Sequence, residues 1–442
     1  MKAESFPAVI LAAGAGRRMK ADMPKPLVKL LGLTMLERAI MGCREAGIEK
    51  FYVVVGYEKE KVIRHVEEIR KKHGVDVEVI ENKNWKKGNG TSVLAALQHL
   101  STPFFVLMCD HIFDVEIIKN FVKDAAKEKY CVLGIDKKIE RVYDIEEATK
   151  VKLKGKFIED IGKELKNFDA VDTGIFFFHP YAKEAMKKAV EEGDASLIEG
   201  VKNLAKEKKI KGIEAKGEYW IDADTQENLR IAENLLLKSL IKPQDGVISK
   251  YINRKISLLI SKRLCNTPIT PNAISFISFL LSIVAAFLFL MTDYIYIALA
   301  GIITQASSII DGCDGEIARL KFQSSPFGAW LDTVLDRYAD VAIAGAISYS
   351  YSSIYGNVVA WIIGVLAISG FILSSYSRKE YVIRYGKELP TSKIEYFGRR
   401  DFRLFIIFIG AILAHPFEAL AITAILHHIV IIALFFKGEN RR

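Results

Sequence analysis

The sequence predicts two domains of different kinds: a three-layer α/β domain with a mostly parallel sheet, followed by an all-α domain of six transmembrane helices. Three observations carry that prediction. The chain has 442 residues, too many for one ordinary domain, and 50% of them are hydrophobic. Up to about Lys242, short β-rich runs alternate with longer amphipathic patterns, the mark of strands joined by crossover helices. Beyond about Thr270 apolar runs dominate. The expected division is a soluble domain over residues 1–241, a linker with an amphipathic helix over 242–268, and a membrane domain over 269–442.

In the soluble half the strand-like runs are residues 8–11, 51–55, 75–80, 104–108, 131–135 and 174–178, rich in Val, Ile and Phe. Helical patterns fall between them at 33–46, 59–72, 91–100 and 114–127. Ligands of such sheets sit at the carboxyl ends of the strands. The apolar run at the N-terminus reads as a buried strand rather than a signal peptide, so this half is expected to be cytoplasmic. The five cysteines are isolated, which excludes a paired disulfide framework or a zinc site from the expectations. A net charge of +9 without a basic stripe and interleaved aromatics does not point to nucleic acid; juxtamembrane lysines and arginines account for it.

The first strand ends in LAAGAGRRM, and PKPL follows at residues 24–27. A glycine-rich turn after a strand offers backbone N–H groups to phosphate, and Arg17, Arg18 and Lys25 add positive charge. The turn is neither a Walker loop nor G-x-G-x-x-G. Together with PKPL it resembles the sugar-phosphate nucleotidyltransferases, over roughly the first 235 residues. The resemblance implies a nucleotide held by Leu11, Ala13, Gly14, Gly16, Arg18, Lys25, Gly90 and Thr91, and catalysis by Lys25 and Arg17. It implies a substrate loop at Thr173 and Gly174. A catalytic metal would lie on Asp110, at the end of FFVLMCD, and on a second carboxylate from WIDADT, either Asp222 or Asp224.

Residues 225–241 read as a helix leading out of this domain, and KPQDG breaks it. Residues 247–264 alternate apolar and basic faces at helical spacing, as an interfacial helix on an anionic bilayer does. Spans are expected near 270–291, 294–317, 328–351, 354–377, 401–415 and 416–437. Arg319, Lys321, Arg378, Lys379 and Arg384 fall in loops on one side, and the opposite loops carry no lysine or arginine. By the positive-inside rule this is a multi-pass cell-membrane protein with its soluble domain in the cytoplasm.

Residues 311–336, DGCDGEIARLKFQSSPFGAWLDTVLD, place four aspartates among apolar helices. Near mid-bilayer each would cost roughly 2.5–3.5 kcal/mol, about 10 kcal/mol together, unless a counter-charge compensates. Asp311 and Asp314 are spaced i, i+3, and Asp332 and Asp336 i, i+4, so each pair shares a helix face. Such an oxygen cage suits Mg²⁺ or Mn²⁺. Written D-x-x-D-G-x-x-A-R, then G-x-x-x-D-x-x-x-D, the stretch resembles the signature of the CDP-alcohol phosphatidyltransferases. That resemblance implies metal ligation by Asp311, Asp314, Asp332 and Asp336, nucleotide contacts at Gly315 and Arg319, and Asp336 as general base. Arg399, Arg400 and Arg403 form a guanidinium cluster expected to bind an acceptor phosphate.

A nucleotidyltransferase that makes a CDP-alcohol would feed a membrane enzyme that consumes one. The pair resembles the bifunctional enzymes joining an inositol-1-phosphate cytidylyltransferase to a di-myo-inositol-phosphate phosphate synthase. This implies CTP, inositol 1-phosphate and CDP-inositol as substrates, Mg²⁺ or Mn²⁺ in both sites, and a homodimer formed through the membrane domain. The competing readings are another alcohol with a lipid acceptor, and a non-enzymatic transporter with buried carboxylates.

Overall fold

A computed structural model of the chain describes residues 6–19, 23–242, 245–386 and 393–439, without the side chains of Arg17, residues 393–395 and residues 437–439. Its compact units are Met1–Leu236 and Leu237–Arg442.

The strands of the first unit are β1 (Ala8–Ala12), β2 (Lys29–Leu30), β3 (Leu33–Thr34), β4 (Lys50–Val55), β5 (Asp76–Glu81), β6 (Phe104–Met108), β7 (His111–Phe113), β8 (Cys131–Asp136), β9 (Lys150–Lys154), β10 (Phe157–Gly162), β11 (Ala170–Phe178), β12 (Ile210–Glu214) and β13 (Trp220–Asp222). One sheet has nine strands in the order β5-β4-β1-β6-β11-β8-β12-β10-β9. β1 runs parallel to β4 and β6, β4 to β5, and β12 to β8. Only β11 and β10 are reversed against their neighbours. The sheet is therefore mostly parallel, with an antiparallel strand in its middle that the alternation did not foretell. Between β8 and β11 the described chain contains a β-hairpin and a short 3-10 turn but no α-helix to carry a parallel crossover, so the chain returns reversed.

Seven helices accompany the strands: α1 (Met35–Glu45), α2 (Lys59–His73), α3 (Gly90–His99), α4 (Val115–Ala125), α5 (Ala182–Glu191), α6 (Leu197–Lys206) and α7 (Gln226–Ser239). Their starts follow from local chemistry. The Thr34 hydroxyl accepts the Glu37 N–H at 3.1 Å to open α1, and Ser196 accepts that of Glu199 at 3.2 Å to open α6. Ile10, Val53, Leu107 and Phe177 pack toward Leu36, Val66 and Phe121 on one face of the sheet. Their neighbours Val9, Val54, Val106 and Phe176 pack toward Val93, Met186 and Val201 on the other. Both faces are covered, which is why the strands read as nearly continuous apolar runs.

In the second unit a π-helical turn, Ser249–Asn253, leads into α8 (Arg254–Leu264). α8 buries Ser257 and Ser261 while Ile256 and Leu259 are exposed, so apolar side chains lie on its outer side. Six helices follow: α9 (Pro271–Phe289), α10 (Tyr294–Leu320), α11 (Pro326–Tyr355), α12 (Val359–Tyr385), α13 (Arg400–Ile412) and α14 (Pro416–Glu439). Among the described residues four are long and apolar enough to cross a membrane: α9, α10, α12 and, within α14, Pro416–Phe436. The expectation of six such spans is not met by α11 and α13. α11 carries Asp332, Asp336, Arg337 and Asp340, and α13 has 13 residues. At 1.5 Å per residue α13 is about 20 Å long, against a hydrocarbon core of about 30 Å.

Candidate functional site

In the first unit the chemistry gathers beyond the carboxyl end of β6. Asp110 follows that strand, and the antiparallel pairing of β7 with β13 sets Asp222 opposite His111. The Ala223 N–H donates to the Asp110 carbonyl at 3.0 Å, carrying Asp224 into the same place. Lys25 enters from the loop after β1. It is 5% exposed, and its ammonium donates to Asp110 Oδ2 at 2.6 Å, pairs with Asp224, and lies 3.7 Å from Asp222 Oδ1. Gly16 makes this approach possible. Its φ is +58°, and a Cβ there would run into the Lys25 side chain.

Burial opposes the Lys25 charge, but Asp110, Asp222 and Asp224 outweigh it and hold the ammonium above the ordinary lysine range. Burial likewise opposes ionisation of Asp110, yet Lys25 and His111 keep it below the usual carboxylate range. For Asp222, burial and the nearby Asp110 charge push the carboxyl up to about 6 despite His111 and Lys25. Burial lowers His111, but Asp222, Asp110 and Asp172 raise it further, to about 9. The His111 ring accordingly donates from Nδ1 to Asp110 Oδ1 at 2.9 Å, and it stacks within 5° of the Trp220 ring plane. Gly174, with φ +78°, leaves the space that this ring fills.

Asp110, His111 and Asp222 bring ligand atoms within 4.8 Å of one another, and Asp222 Oδ1 is buried with no hydrogen-bond partner. An orphaned carboxylate oxygen facing a second carboxylate and an imidazole is a donor set that fits a divalent cation. A cavity of about 290 Å³ opens here, lined by Arg18, Asp110, His111, Asp172, Gly174 and Asp222, among others.

The remaining expected residues divide. Arg18 lies 3.6 Å from Asp224, Gly14 is exposed on the turn, and Leu11 and Ala13 are buried. The Arg17 side chain lies outside the described residues. The Thr91 hydroxyl donates to Gly88 O at 2.7 Å and accepts from Asn82, so it ties down the loop. A Cβ on Gly90 would meet the Ala195 and Ser196 backbone, and it is Asn89 that lines the cavity. Thr173 is fully buried and its hydroxyl donates to Gly134 O at 2.8 Å, beside Gly174, which lines the cavity. Sequence reasoning missed His111 and Asp172. The signal for His111 was its place directly after Asp110 at a strand end.

In the second unit α10 and α11 bring Asp311, Asp314 and Asp332 within 4.8 Å of one another. Two serines of α9 support them: Ser275 donates to Asp314 at 2.5 Å and Ser278 to Asp311 at 3.1 Å. Three carboxylates converging with so few donors again fit a divalent cation. Asp336 stands apart from this trio. Arg400 Nη1 lies 2.7 Å from Asp336 and 2.9 Å from Asp311. A Cβ on Gly328 would come within 3.1 Å of Asn272 and Ser325, and one on Gly315 within 3.3 Å of Arg319 Nη1. Arg319 donates to the Leu240 carbonyl at 3.3 Å.

The three expected arginines, Arg399, Arg400 and Arg403, all line a cavity of about 460 Å³ together with Arg378 and Lys379, and Arg399 lies over the Tyr396 ring. Arg400 is occupied by carboxylates, and Arg403 is 1% exposed and paired with Asp340. The sequence reading overlooked Asp340, the carboxylate that pairs with Arg403.

The fold and the two acidic centres define a transferase with two catalytic domains, and sequence comparison assigns each. Residues 8–194 match the MobA-like NTP transferase domain, and residues 268–436 match the CDP-alcohol phosphatidyltransferase family. A protein of Rubrobacter xylanophilus named bifunctional IPC transferase and DIPP synthase is 36% identical, over 96% of this chain and 94% of its own. One of Aquifex aeolicus with the same name is 34% identical over 98% of this chain and 99% of its own. The chain belongs to this family of bifunctional IPC transferases and DIPP synthases. Among solved structures, the inositol-1-phosphate CTP transferase of T. maritima is similar at 24% identity and a TM-score of 0.46, over 52% of this chain and 94% of its own.

Proposed function

We propose that the first domain converts CTP and inositol 1-phosphate into CDP-inositol and pyrophosphate. The second then transfers phosphoinositol to another inositol 1-phosphate, giving di-myo-inositol-phosphate phosphate and CMP. The observation that carries this reading is the alignment, over nearly the full length at 34–36% identity, with proteins that combine both activities in their names.

In the first site Lys25 stabilises the triphosphate as the alcohol phosphate attacks the α-phosphorus. Arg18, with Arg17 beside it in sequence, adds charge at the mouth of the site. In the second, Asp336 takes the proton of the acceptor hydroxyl, and Arg399, Arg378 and Lys379 attract the acceptor phosphate. Mg²⁺ or Mn²⁺ would be held by Asp110 and Asp222 in the first site and by Asp311, Asp314 and Asp332 in the second, where it would neutralise phosphate charge. We assign Asp222 rather than Asp224 because it is the one grouped with Asp110 and His111, whereas Asp224 pairs with Lys25 and Arg18.

The membrane-embedded region has its basic loops and the soluble domain on the cytoplasmic side in this reading, and it pairs with a second copy through its helices. Mass spectrometry of the products formed from CTP, Mg²⁺ and a panel of phosphorylated alcohols tests the function. Inositol 1-phosphate should give CDP-inositol and then the phosphorylated diester. Turnover of a different alcohol phosphate alone, or of a lipid acceptor, would overturn the assignment.

A further inference from the structure

Asp340 stands one helical turn beyond Asp336 on α11, and the chemistry above makes no use of it. It is 3% exposed, and three guanidinium groups converge on it: Arg337 Nη1 at 3.0 Å, Arg400 Nε at 3.5 Å, and Arg403. Arg403 is in turn clamped. The Phe371 ring lies 4.6 Å from its guanidinium carbon, and its Nη1 is 3.3 Å from His427 Nε2. His427 is fixed by the Thr423 carbonyl, 2.8 Å from its Nδ1. Arg337 is held from a second direction, donating to Phe371 O at 3.2 Å.

The far edge of Arg400 reaches the reaction centre, with Nη1 between Asp311 and Asp336. The aspartates of the signature hold Nη1, and Asp340 Oδ1 lies 3.5 Å from Nε as an ion pair without a hydrogen bond, so Asp340 acts on the Arg400 guanidinium by charge attraction rather than by a directed bond. Asp311 and Asp336 come from different helices, and Arg400 is the cation that bridges them. From His427 through Arg403 to Asp340 the contacts are hydrogen bonds, from Asp340 to Arg400 the link is the 3.5 Å ion pair, and Arg400 then reaches Asp336.

We propose that Asp340 is a positioning residue for the transfer reaction: by anchoring Arg403 and Arg400 it sets the Arg400 guanidinium between Asp311 and Asp336. The proposal rests on reading this centre as a CDP-alcohol transferase. Asp340 is buried and does not line the adjoining cavity, so its loss should act on the chemical step rather than on binding. A displacement of about 1 Å at a reacting group costs on the order of 10²-fold in rate.

The test uses the full-length protein in detergent, with CMP release from supplied CDP-inositol as readout and monodisperse elution as the check on folding. Asp340→Asn should lower kcat by roughly 10²-fold with KM for CDP-inositol within about threefold. Because this variant leaves Arg403 buried without its partner, a second variant removes both charges, Asp340→Asn with Arg403→Met. If Asp340 merely neutralises Arg403, the double variant regains wild-type kcat, and the proposal is overturned. If it positions Arg400, the double variant folds and stays slow. A tenfold rise in KM with kcat unchanged would also overturn the proposal. A wild-type protein that releases no CMP from any CDP-alcohol would bring down the transferase reading and the positioning role with it; an active wild type and an equally active Asp340→Asn would bring down the positioning role alone.

Discussion

Beyond the end of β6 an ammonium sits among Asp110, Asp222 and Asp224, and between α10 and α11 a guanidinium sits among Asp311, Asp336 and Asp340. Both arrangements keep crowded carboxylates compatible with a buried setting, but the cations differ in kind. Lys25 presents a compact ammonium, held by Asp110 and Asp224 and close to Asp222. Arg400 presents a planar fork whose Nη1 lies between Asp311 and Asp336, with Nε 3.5 Å from Asp340. The shape of the cation, a point charge in one and a planar fork in the other, is what separates the two centres.

The largest test of that separation is Lys25→Ala. It should abolish CTP-dependent CDP-alcohol formation, while CMP release from supplied CDP-alcohol continues at the wild-type rate. If both activities vanished in a folded protein, the two centres would not be independent. Next comes Asp336→Asn, which preserves shape but cannot accept a proton. Transfer should fall about 10²- to 10⁴-fold in single-turnover assays, with CDP-alcohol affinity nearly retained, whereas Asp314→Asn should lose that affinity. Near-normal transfer by Asp336→Asn would move the base to Asp332.

A smaller contrast lies within the soluble centre. Asp222→Asn should weaken Mn²⁺ binding by more than about tenfold, measured by electron paramagnetic resonance, and Asp224→Asn should weaken it less. Equal losses would make Asp224 a ligand as well. The mildest effect is that of pH. The Asp222 carboxyl rises from its ordinary 3.8 to about 6, so Mn²⁺ affinity of the soluble centre should fall by about tenfold per pH unit below 6. The sign for stability is opposite. A raised folded-state pKa means that the metal-free fold binds the proton more tightly than the unfolded chain, so this group's contribution to stability increases as pH falls from about 6 toward 3.8. Melting of the metal-free protein across that range, compared with Asp222→Asn, reads the difference.

Much of this architecture could be read from residues alone, for identifiable reasons. β1, β4 and β6 are buried on both faces, and unbroken apolar runs announce them. β9 escaped notice because its alternate lysines, KVKLK, look like a solvated loop, and only the turn at Gly155, with φ +64°, betrays the hairpin. The aspartates of α10 and α11 were visible through helical spacing, a local property. The β7–β13 pairing that sets Asp222 beside His111 was not, since it joins residues a hundred positions apart. The Arg403–Asp340 pairing was hidden for the same reason, since Asp340 lies on another helix. The spacing that continues Asp332 and Asp336 into Asp340 was nonetheless legible, had it been followed one turn further.

The Arg403–Asp340 contact joins positions 63 apart, one on α11 and the other at the start of the short α13. In biosynthetic terms this fixes an order of events. α11 leaves the ribosome first, carrying a carboxylate that lipid tolerates only at a cost of roughly 2.5–3.5 kcal/mol. α13 follows with a charge of its own and too few residues to settle across hydrocarbon unaided. Arg337, 3.0 Å from Asp340 on the same helix, offsets part of that cost, and Arg403 supplies the further partner from α13. The set of charges around Asp340 is therefore complete only when α13 stands beside α11.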